Sequence, residues 1–336
     1  MRSFEYMRAS DPAAAVHAID RENGVPPPLA HTQFLAGGTT LLDLMKLDVM
    51  RPAQVVDVND LSRALGDITL DNRGLHLGGL AHMGEAAEHP GVRRDYPVIA
   101  QSLELAASPQ LRNMATLGGN VLQRTRCTYF RDVSWAHCNK RNPGSGCAAL
   151  EGVNRKHAVL GTSEHCIATY SGDFAQALVA LDAEVEIAGA SGARHMRFED
   201  LHRLPGSTPH IETVLAPHDL IAGFFVPAAA YTRRSLYLKI RDRQSYEFAL
   251  ASAAVALDLR DGTVNEARIA LGGVATKPWR AHEAEASLKG KRLDEASARE
   301  AAEAAFARAV THGQNAYKPE LGRRTLVRAL LQVAEM

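Results

Sequence analysis

The run Leu35-Ala36-Gly37-Gly38-Thr39-Thr40-Leu41-Leu42 lies between a short apolar segment that predicts a strand (34–36) and a segment of helical character (41–46). A second predicted strand, 54–58, follows. This order predicts a βαβ unit with a parallel strand pair and a right-handed crossover. The glycines allow a tight turn whose N–H groups, next to the helix start, can face an anion such as a pyrophosphate. The run does not match the G-x-G-x-x-G fingerprint of NAD-type sites, and alone it is more often an ordinary turn.

A second diglycine segment lies in Gln110-Leu111-Arg112-Asn113-Met114-Ala115-Thr116-Leu117-Gly118-Gly119-Asn120-Val121. Its glycines let a loop bring its backbone close to a flat or anionic ligand, to which Thr116 and Asn120 can hydrogen-bond. The alternative is an ordinary exposed loop. Two such segments, each after an apolar stretch, indicate a ligand site more strongly than either segment alone.

All four cysteines lie within one window of 40 residues: Cys127, Cys138, Cys147 and Cys166. Because no secretory signal is evident, a metal or cluster site is a better interpretation than two disulfides. The spacing matches neither a zinc ribbon nor a ferredoxin run, so zinc and a [4Fe–4S] cluster both stay open. His137, His157 and His165 are close enough in sequence to replace one cysteine. Four free cysteines in a core are disfavoured, since the window is polar and loop-like.

The composition excludes several classes of protein. Lysine plus arginine (38) balance aspartate plus glutamate (38), so the chain offers no basic field to a nucleic acid. No apolar run approaches the roughly 20 residues of a membrane span. The first six residues lack the apolar core of a signal peptide and predict the start of a strand. We expect a cytoplasmic protein, or a periplasmic one if it is exported together with a signal-bearing partner.

The 336 residues suggest two domains. The pattern of predicted secondary structure changes near residue 230, where three predicted strands precede two predicted helices. Asp261-Gly262 predicts a hairpin turn between the last two of these strands. Strands followed by helices are typical of an α+β domain. We therefore divide the chain into 1–228, with a cysteine-bearing insertion at about 125–168, and 229–336.

Together these segments resemble the FAD-binding medium subunit of the xanthine dehydrogenase type of molybdenum hydroxylases. In that family an AGGT-x-LL-x-x-MK stretch and an RN-x-ATLGGN stretch form the flavin site; they correspond here to 36–46 and 112–120. The C-terminal stretch 269–281 resembles the family as well. The insertion, beginning at 123–131, is similar to the [4Fe–4S]-carrying branch found in bacterial periplasmic aldehyde oxidoreductases.

The resemblance implies an α+β fold: an α/β FAD-binding domain of the PCMH type with two lobes, then a domain like the CO dehydrogenase flavoprotein C-terminal domain. FAD would lie in the cleft between the lobes. The flavin contacts that the family implies are Phe34, Leu35, Ala36, Gly37, Gly38, Thr39, Thr40, Leu41, Leu42, Thr116, Gly119, Asp173, Ile221 and Lys239. It also implies a [4Fe–4S] cluster on Cys127, Cys138, Cys147 and Cys166. Without the resemblance, Asp173 is simply a helix N-cap and Lys239 a surface lysine on an edge strand.

The function implied is electron transfer in a heterotrimer. A molybdopterin-binding large subunit would oxidise an aldehyde, or an aromatic or heterocyclic substrate. A small [2Fe–2S] subunit would relay the electrons to the FAD of this chain, which passes them to an external acceptor. Where xanthine dehydrogenases carry Arg-Arg-Glu-Asp, this chain has 242–247, Asp-Arg-Gln-Ser-Tyr-Glu. That departure disfavours NAD and leaves a quinone, a protein or oxygen as the acceptor.

Two other classes stay open. One is a self-contained flavin oxidoreductase with its own organic substrate, for which the sequence offers no obvious acid–base pair or nucleophile. The other is a zinc-stabilised scaffold without redox function. Visible absorption separates the second class at once, since flavin and iron–sulfur centres are coloured and zinc is not.

Overall fold

The computed structural model describes residues 1–19 and 25–336, whose strands form three separate sheets. In chain order the strands are β1 Glu5–Arg8, β2 Thr32–Leu35, β3 Gln54–Asp57, β4 Ile68–Leu70, β5 Gly74–Gly78, β6 Glu184–Gly189, β7 Gly192–Arg197, β8 Leu220–Pro227, β9 Ser235–Ile240, β10 Ala251–Arg260, β11 Thr263–Gly272 and β12 Trp279–Arg280.

The helices are mostly short. In chain order they are α1 Pro12–His17, α2 Leu41–Lys46, α3 Ser62–Leu65, α4 Met83–Glu88, α5 Pro90–Asp95, α6 Pro97–Glu104, α7 Pro109–Arg112, α8 Leu117–Val121, α9 Thr128–Arg131, α10 Phe174–Ala180, α11 His282–Leu288, α12 Glu295–Phe306 and α13 Lys318–Ala334. Within 1–19 and 25–336, no helix has the length and apolar character that crossing a bilayer requires.

The first sheet contains the predicted βαβ unit. Its order is β1-β3-β2, and both strand pairs are parallel. β2 and β3 pair with Phe34 opposite Val56, and α2 lies between them in the chain. The diglycine turn therefore stands at the carboxyl end of β2, the end of a parallel strand where ligands commonly bind.

The second lobe is built on an antiparallel sheet of order β4-β5-β8-β6-β7. Its main core joins strand residues such as Leu75 and Val185 to residues of the helices, among them Leu103. The rings of Phe174 and Phe224 meet edge to face, with centroids 5.7 Å apart. This core fixes α10 against α6 and against α8, the helix of the second diglycine segment.

The C-terminal region is a four-stranded antiparallel sheet, β12-β11-β10-β9, covered by the last three helices. The hairpin at Asp261-Gly262 is present, with φ values of 49° and 76°. Two positive φ values are what a tight hairpin requires, which explains the glycine. The predicted mixed α+β architecture is therefore found.

The cysteine insertion has little regular structure. Between residues 125 and 168, all of which the structure describes, the only helix is α9. Side chains hold the insertion instead. Phe130, fully buried, packs with Leu44 of α2, and Arg131 donates a 2.8 Å hydrogen bond to Asp43 Oδ2. The insertion is thereby attached to the helix that follows the first diglycine turn.

Candidate functional site

The two diglycine segments touch each other through their backbones. A β-carbon at Gly37 would lie 1.7 Å from the carbonyl oxygen of Met114, so only glycine allows this approach. Gly38, at φ 71°, makes the turn into α2. The second segment is held in turn by backbone bonds, including Gly118 N–H to the Gly79 oxygen at 2.8 Å.

A cleft of about 240 Å³ opens where the two segments meet. Of the residues that the family resemblance implies, those lining it are Phe34, Ala36, Gly37, Gly38, Thr39, Thr40, Leu41, Thr116, Gly119 and Ile221. Leu35 and Leu42 instead pack in the apolar cluster around Phe130. Asp173 and Lys239 are not among the lining residues either. Ten of the fourteen positions thus converge on one cavity.

The second segment is partly helical, although the sequence predicts a loop there. Thr116 is the N-cap of α8, and its Oγ1 accepts a hydrogen bond from Gly119 N–H at 3.2 Å. A β-carbon at Gly119 would meet only Thr116 Oγ1, at 3.0 Å. A side chain at 119 would therefore press only on this hydroxyl group and would otherwise enter the cleft, which Gly119 lines.

A buried charge cluster forms another part of the wall. Arg124 Nε donates to Glu212 Oε2 at 2.6 Å, and Lys140 Nζ donates to Glu212 Oε1 at 2.8 Å. All three residues line the cleft. Burial by itself would raise the pKa of Glu212, but the two cations outweigh burial and hold that pKa at about 2. The carboxylate therefore stays ionised and ties the insertion to the segment 203–217.

Replacing Glu212 with glutamine tests this cluster. The pKa of Glu212 in the folded state is lowered from 4.5 to about 2, so its stabilising contribution is fully present above pH 4.5 and is lost as the pH falls through 2. At pH 7 we expect Glu212→Gln to lower the free energy of unfolding by about 3 kcal/mol, because two buried cations lose their anion. Urea unfolding at pH 7 and in steps below pH 4.5 measures the loss, which should shrink with pH.

The exposed Glu295 is the matched control for that variant, since it pairs only across one helix turn with Arg299. Glu295→Gln should change the free energy of unfolding by less than about 0.5 kcal/mol. A loss in Glu212→Gln that does not depend on pH would show that the carboxylate acts by packing and not by charge.

Asp173 and Lys239 form a buried ion pair across the two domains. Lys239 Nζ donates to Asp173 Oδ2 at 2.7 Å and to the Leu105 carbonyl at 2.9 Å. Tyr237 O–H donates to Asp173 Oδ1 at 2.6 Å. The side chains of Lys239 and Asp173 are 1% and 4% exposed. Asp173 stands at the N-cap of α10 but makes no side-chain cap bond. Asp173 is therefore not simply a helix N-cap, and Lys239 is not a surface lysine.

The four cysteines converge on a second, small cavity of about 10 Å³. Burial raises the pKa of Cys127 to about 12 and that of Cys166 to about 11, so these thiols stay neutral without a nearby cation. His157 Nε2 lies 3.2 Å from Cys127 Sγ. Among the residues that the structure describes, no group of three or more His, Cys, Asp or Glu side chains is placed to hold a metal ion.

Two family descriptions match this chain. The FAD binding domain in molybdopterin dehydrogenase covers residues 2–229, and the CO dehydrogenase flavoprotein C-terminal domain covers residues 236–333. The aldehyde oxidoreductase FAD-binding subunit PaoB of Escherichia coli (strain K12) is 44% identical over 333 residues, or 99% of this chain and 98% of that protein. The chain belongs to the FAD-binding medium subunits of the molybdenum hydroxylases.

More distant medium subunits share the whole architecture. The glyceraldehyde dehydrogenase medium chain of Sulfolobus acidocaldarius is 25% identical over 293 residues, 87% of this chain and 83% of its own. A solved structure of carbon monoxide dehydrogenase from Hydrogenophaga pseudoflava superposes with a TM-score of 0.75 at 25% identity, covering 99% of this chain and 98% of the other. These relatives are oxidoreductase subunits, and this medium subunit is one as well.

The cleft of the medium subunit suits FAD on its own geometry. Glycine backbones can approach the two phosphates without side chains in the way. The Thr116 hydroxyl, whose oxygen already accepts from Gly119, keeps its hydrogen for a ligand oxygen. Among the described residues, the atom that a β-carbon at Gly119 would meet is the Thr116 hydroxyl oxygen, at 3.0 Å.

Three wall residues of the medium subunit were missed by sequence reasoning: Arg124, Lys140 and Glu212. Glu212 is 88 positions from Arg124 and 72 from Lys140, and no local pattern links such distant residues. The only signal was indirect, since the polar insertion needs something to hold it.

Proposed function

We propose that this medium subunit transfers electrons within a heterotrimeric molybdenum hydroxylase that oxidises an aldehyde, or an aromatic or heterocyclic substrate. The observation that carries the proposal is the cleft walled by both diglycine segments. The end-to-end similarity to an aldehyde oxidoreductase subunit favours an aldehyde.

The proposed partners are a molybdopterin-binding large subunit, which would oxidise the substrate, and a [2Fe–2S] small subunit, which would relay the electrons. FAD, when bound, supplies the redox chemistry that passes them to the external acceptor. The residues of this chain bind and shield it. The segment 34–42 would hold the pyrophosphate and ribityl chain together with Thr116 and Gly119, and Ile221 would give an apolar contact beside the ring.

For the acceptor we propose a quinone, a protein or oxygen in preference to NAD. Asp242, the first residue of the departing segment 242–247, binds Arg155 of the insertion at 2.8 Å, and Tyr246 is exposed. The segment 242–247 is thus bound to the cysteine insertion through this ion pair. Stopped-flow oxidation of the reduced complex by each acceptor class measures the preference. A fast reaction with NAD would reject the proposed preference for a quinone, a protein or oxygen.

We also propose that Cys127, Cys138, Cys147 and Cys166 hold a [4Fe–4S] cluster. Their convergence on one apolar cavity supports the proposal, because four cysteine thiolates are the usual ligand set of such a cluster. A cluster spans more space than one zinc ion and needs ligands farther apart. The cavity of about 10 Å³ would therefore have to widen for the four cysteines to hold a cluster.

Cys127→Ser tests the cluster, since a hydroxyl is a poor ligand for iron. We expect the variant complex to lose the four irons of this subunit, and the insertion to become more sensitive to protease because it has little regular secondary structure of its own. Iron quantitation and limited proteolysis measure both effects. His165→Gln, which also changes a cavity-lining residue, should retain iron. A Cys127→Ser variant that is iron-free yet as stable and flavin-loaded as the wild type would contradict the structural role.

The function as a whole is tested by a visible spectrum with flavin and iron quantitation of the chain and whatever co-purifies with it. We expect FAD, iron–sulfur absorption and two partner subunits, and anaerobic bleaching of the flavin on addition of an aldehyde. A colourless zinc protein, or an isolated chain that oxidises a substrate by itself, would reject the proposal.

We propose a cytoplasmic location, or a periplasmic one reached by export with a signal-bearing partner. Fractionation of cells that express the complete complex decides between the two compartments. Recovery of the complex in a membrane fraction after a salt wash would contradict both.

A further inference from the structure

The cysteine insertion forms part of the flavin cleft. The insertion residues that line the cleft, together with Thr169 just beyond it, are Thr125, Lys140, Cys166, Ala168 and Thr169. Lys140, Cys166 and Ala168 also line the cysteine cavity. One layer of residues therefore serves as a wall of both cavities, so a displacement of the insertion changes the shape of the flavin site.

Lys140 connects this layer to a second part of the wall, the segment 203–217. Its side chain is 12% exposed, and its ammonium group donates to Glu212 Oε1 at 2.8 Å and to the Pro209 carbonyl at 2.9 Å. Ser163 adds a second link through a 2.8 Å bond to the Gly206 carbonyl.

The segment 203–217 contains neither helix nor strand, although many of its residues line the cleft. Backbone bonds pair its two ends, from Arg203 N–H to the Glu212 oxygen at 2.9 Å and from Val214 N–H to the Leu201 oxygen at 3.0 Å. The side-chain bonds from the insertion reach the stretch between these ends, which has no regular backbone ladder. A single ammonium group that satisfies two oxygens of this segment is a strong local restraint.

We propose that Lys140 is a positioning residue of the FAD site, which holds the segment 203–217 against the cleft through Glu212 and Pro209. The inference rests on FAD binding in this cleft. Since Lys140 and Ser163 both join the insertion to the cleft wall, order in the insertion and occupancy of the cleft strengthen each other reciprocally.

The test is an FAD titration of the deflavinated complex carrying Lys140→Met, Lys140→Arg or Lys156→Met. Lys156 is the matched control, since it lies in the same insertion but is 56% exposed and pairs with Asp242 and Glu247. We expect Lys140→Met to raise the FAD dissociation constant about tenfold, because the segment 203–217 loses both hydrogen bonds from the ammonium group. Lys140→Arg should keep most of the affinity, and Lys156→Met should match the wild type.

Equal affinity in Lys140→Met and the wild type overturns the inference, as does an equal loss in Lys156→Met. Hydrogen exchange of the wild-type complex tests it without a variant: FAD should slow exchange in 138–147 and in 203–217 together, and unchanged exchange in 203–217 overturns it. A wild-type complex that binds no FAD is a different result, because it rejects the proposed function itself.

Discussion

Replacing Gly37 with alanine is expected to abolish tight FAD binding and to destabilise the first domain. The new β-carbon would lie 1.7 Å from the Met114 oxygen and 2.6 Å from its carbonyl carbon. No side-chain rotation relieves a clash between two backbones, so the two diglycine segments must separate. Because both line the cleft, we expect flavin content to fall at least tenfold and the free energy of unfolding to fall by about 3 kcal/mol.

Gly119→Ala is the matched control, because it changes the other diglycine segment without this clash. Its β-carbon meets only the Thr116 hydroxyl, and alanine is the better helix former within α8. The deflavinated variant should therefore lose far less stability than Gly37→Ala, since only a hydroxyl group has to shift, while its FAD affinity falls because the methyl group enters the cleft. Urea unfolding and FAD titration separate the two effects. A Gly37→Ala complex with normal flavin content and stability would contradict the close contact between the segments.

Local features of the fold could be predicted from the sequence. The βαβ unit and the β10–β11 hairpin each depend on apolar runs joined by a glycine turn, so neighbouring residues carry the signal. The diglycine segments could also be recognised locally. A backbone that approaches another backbone, or a ligand, closely requires glycine at that position. The ten predicted residues that line the cleft come from these two segments, with Phe34 at the end of β2 and Ile221 in addition.

Features that depend on residues far apart in the chain could not be predicted from the sequence. β7 is almost entirely exposed and lacks an alternating apolar face, so nothing in its sequence marks it as a strand. β8 is paired with β5 and with β6, strands that lie far from it in the chain. The prediction of Lys239 as a surface residue fails on similar grounds: β9 is an edge strand, but the C-terminal end of α6 covers it, and only the tertiary fold shows that.

Replacing Lys239 with methionine is expected to give a loss of stability of about 3–5 kcal/mol, because it leaves the Asp173 carboxylate buried without its cation. Tyr237 would remain a hydrogen-bond donor to Asp173, which is too little to compensate a buried charge. Urea unfolding at pH 7 measures the loss. The exposed Lys291, paired with Glu300, is the control, and Lys291→Met should cost less than about 1 kcal/mol.

The double variant Lys239→Met with Asp173→Asn separates the pair from its surroundings. It should recover part of the stability, since the uncompensated charge is gone, and the difference gives the coupling energy of the two side chains. A double variant that loses the sum of the two single losses would show that the residues act independently, in conflict with their 2.7 Å contact.

The same variants decide whether the pair acts on the flavin, as the family resemblance implies. A cation near the flavin ring stabilises its reduced, negatively charged form and raises its reduction potential. The ammonium of Lys239 is buried, pairs with Asp173 and does not line the cleft, so its effect on the flavin would act through its charge and not through a direct contact. We therefore expect Lys239→Met to shift the flavin midpoint potential to more negative values, measured in a spectroelectrochemical titration. An unchanged potential together with lost stability would make the pair a link between the domains and nothing more.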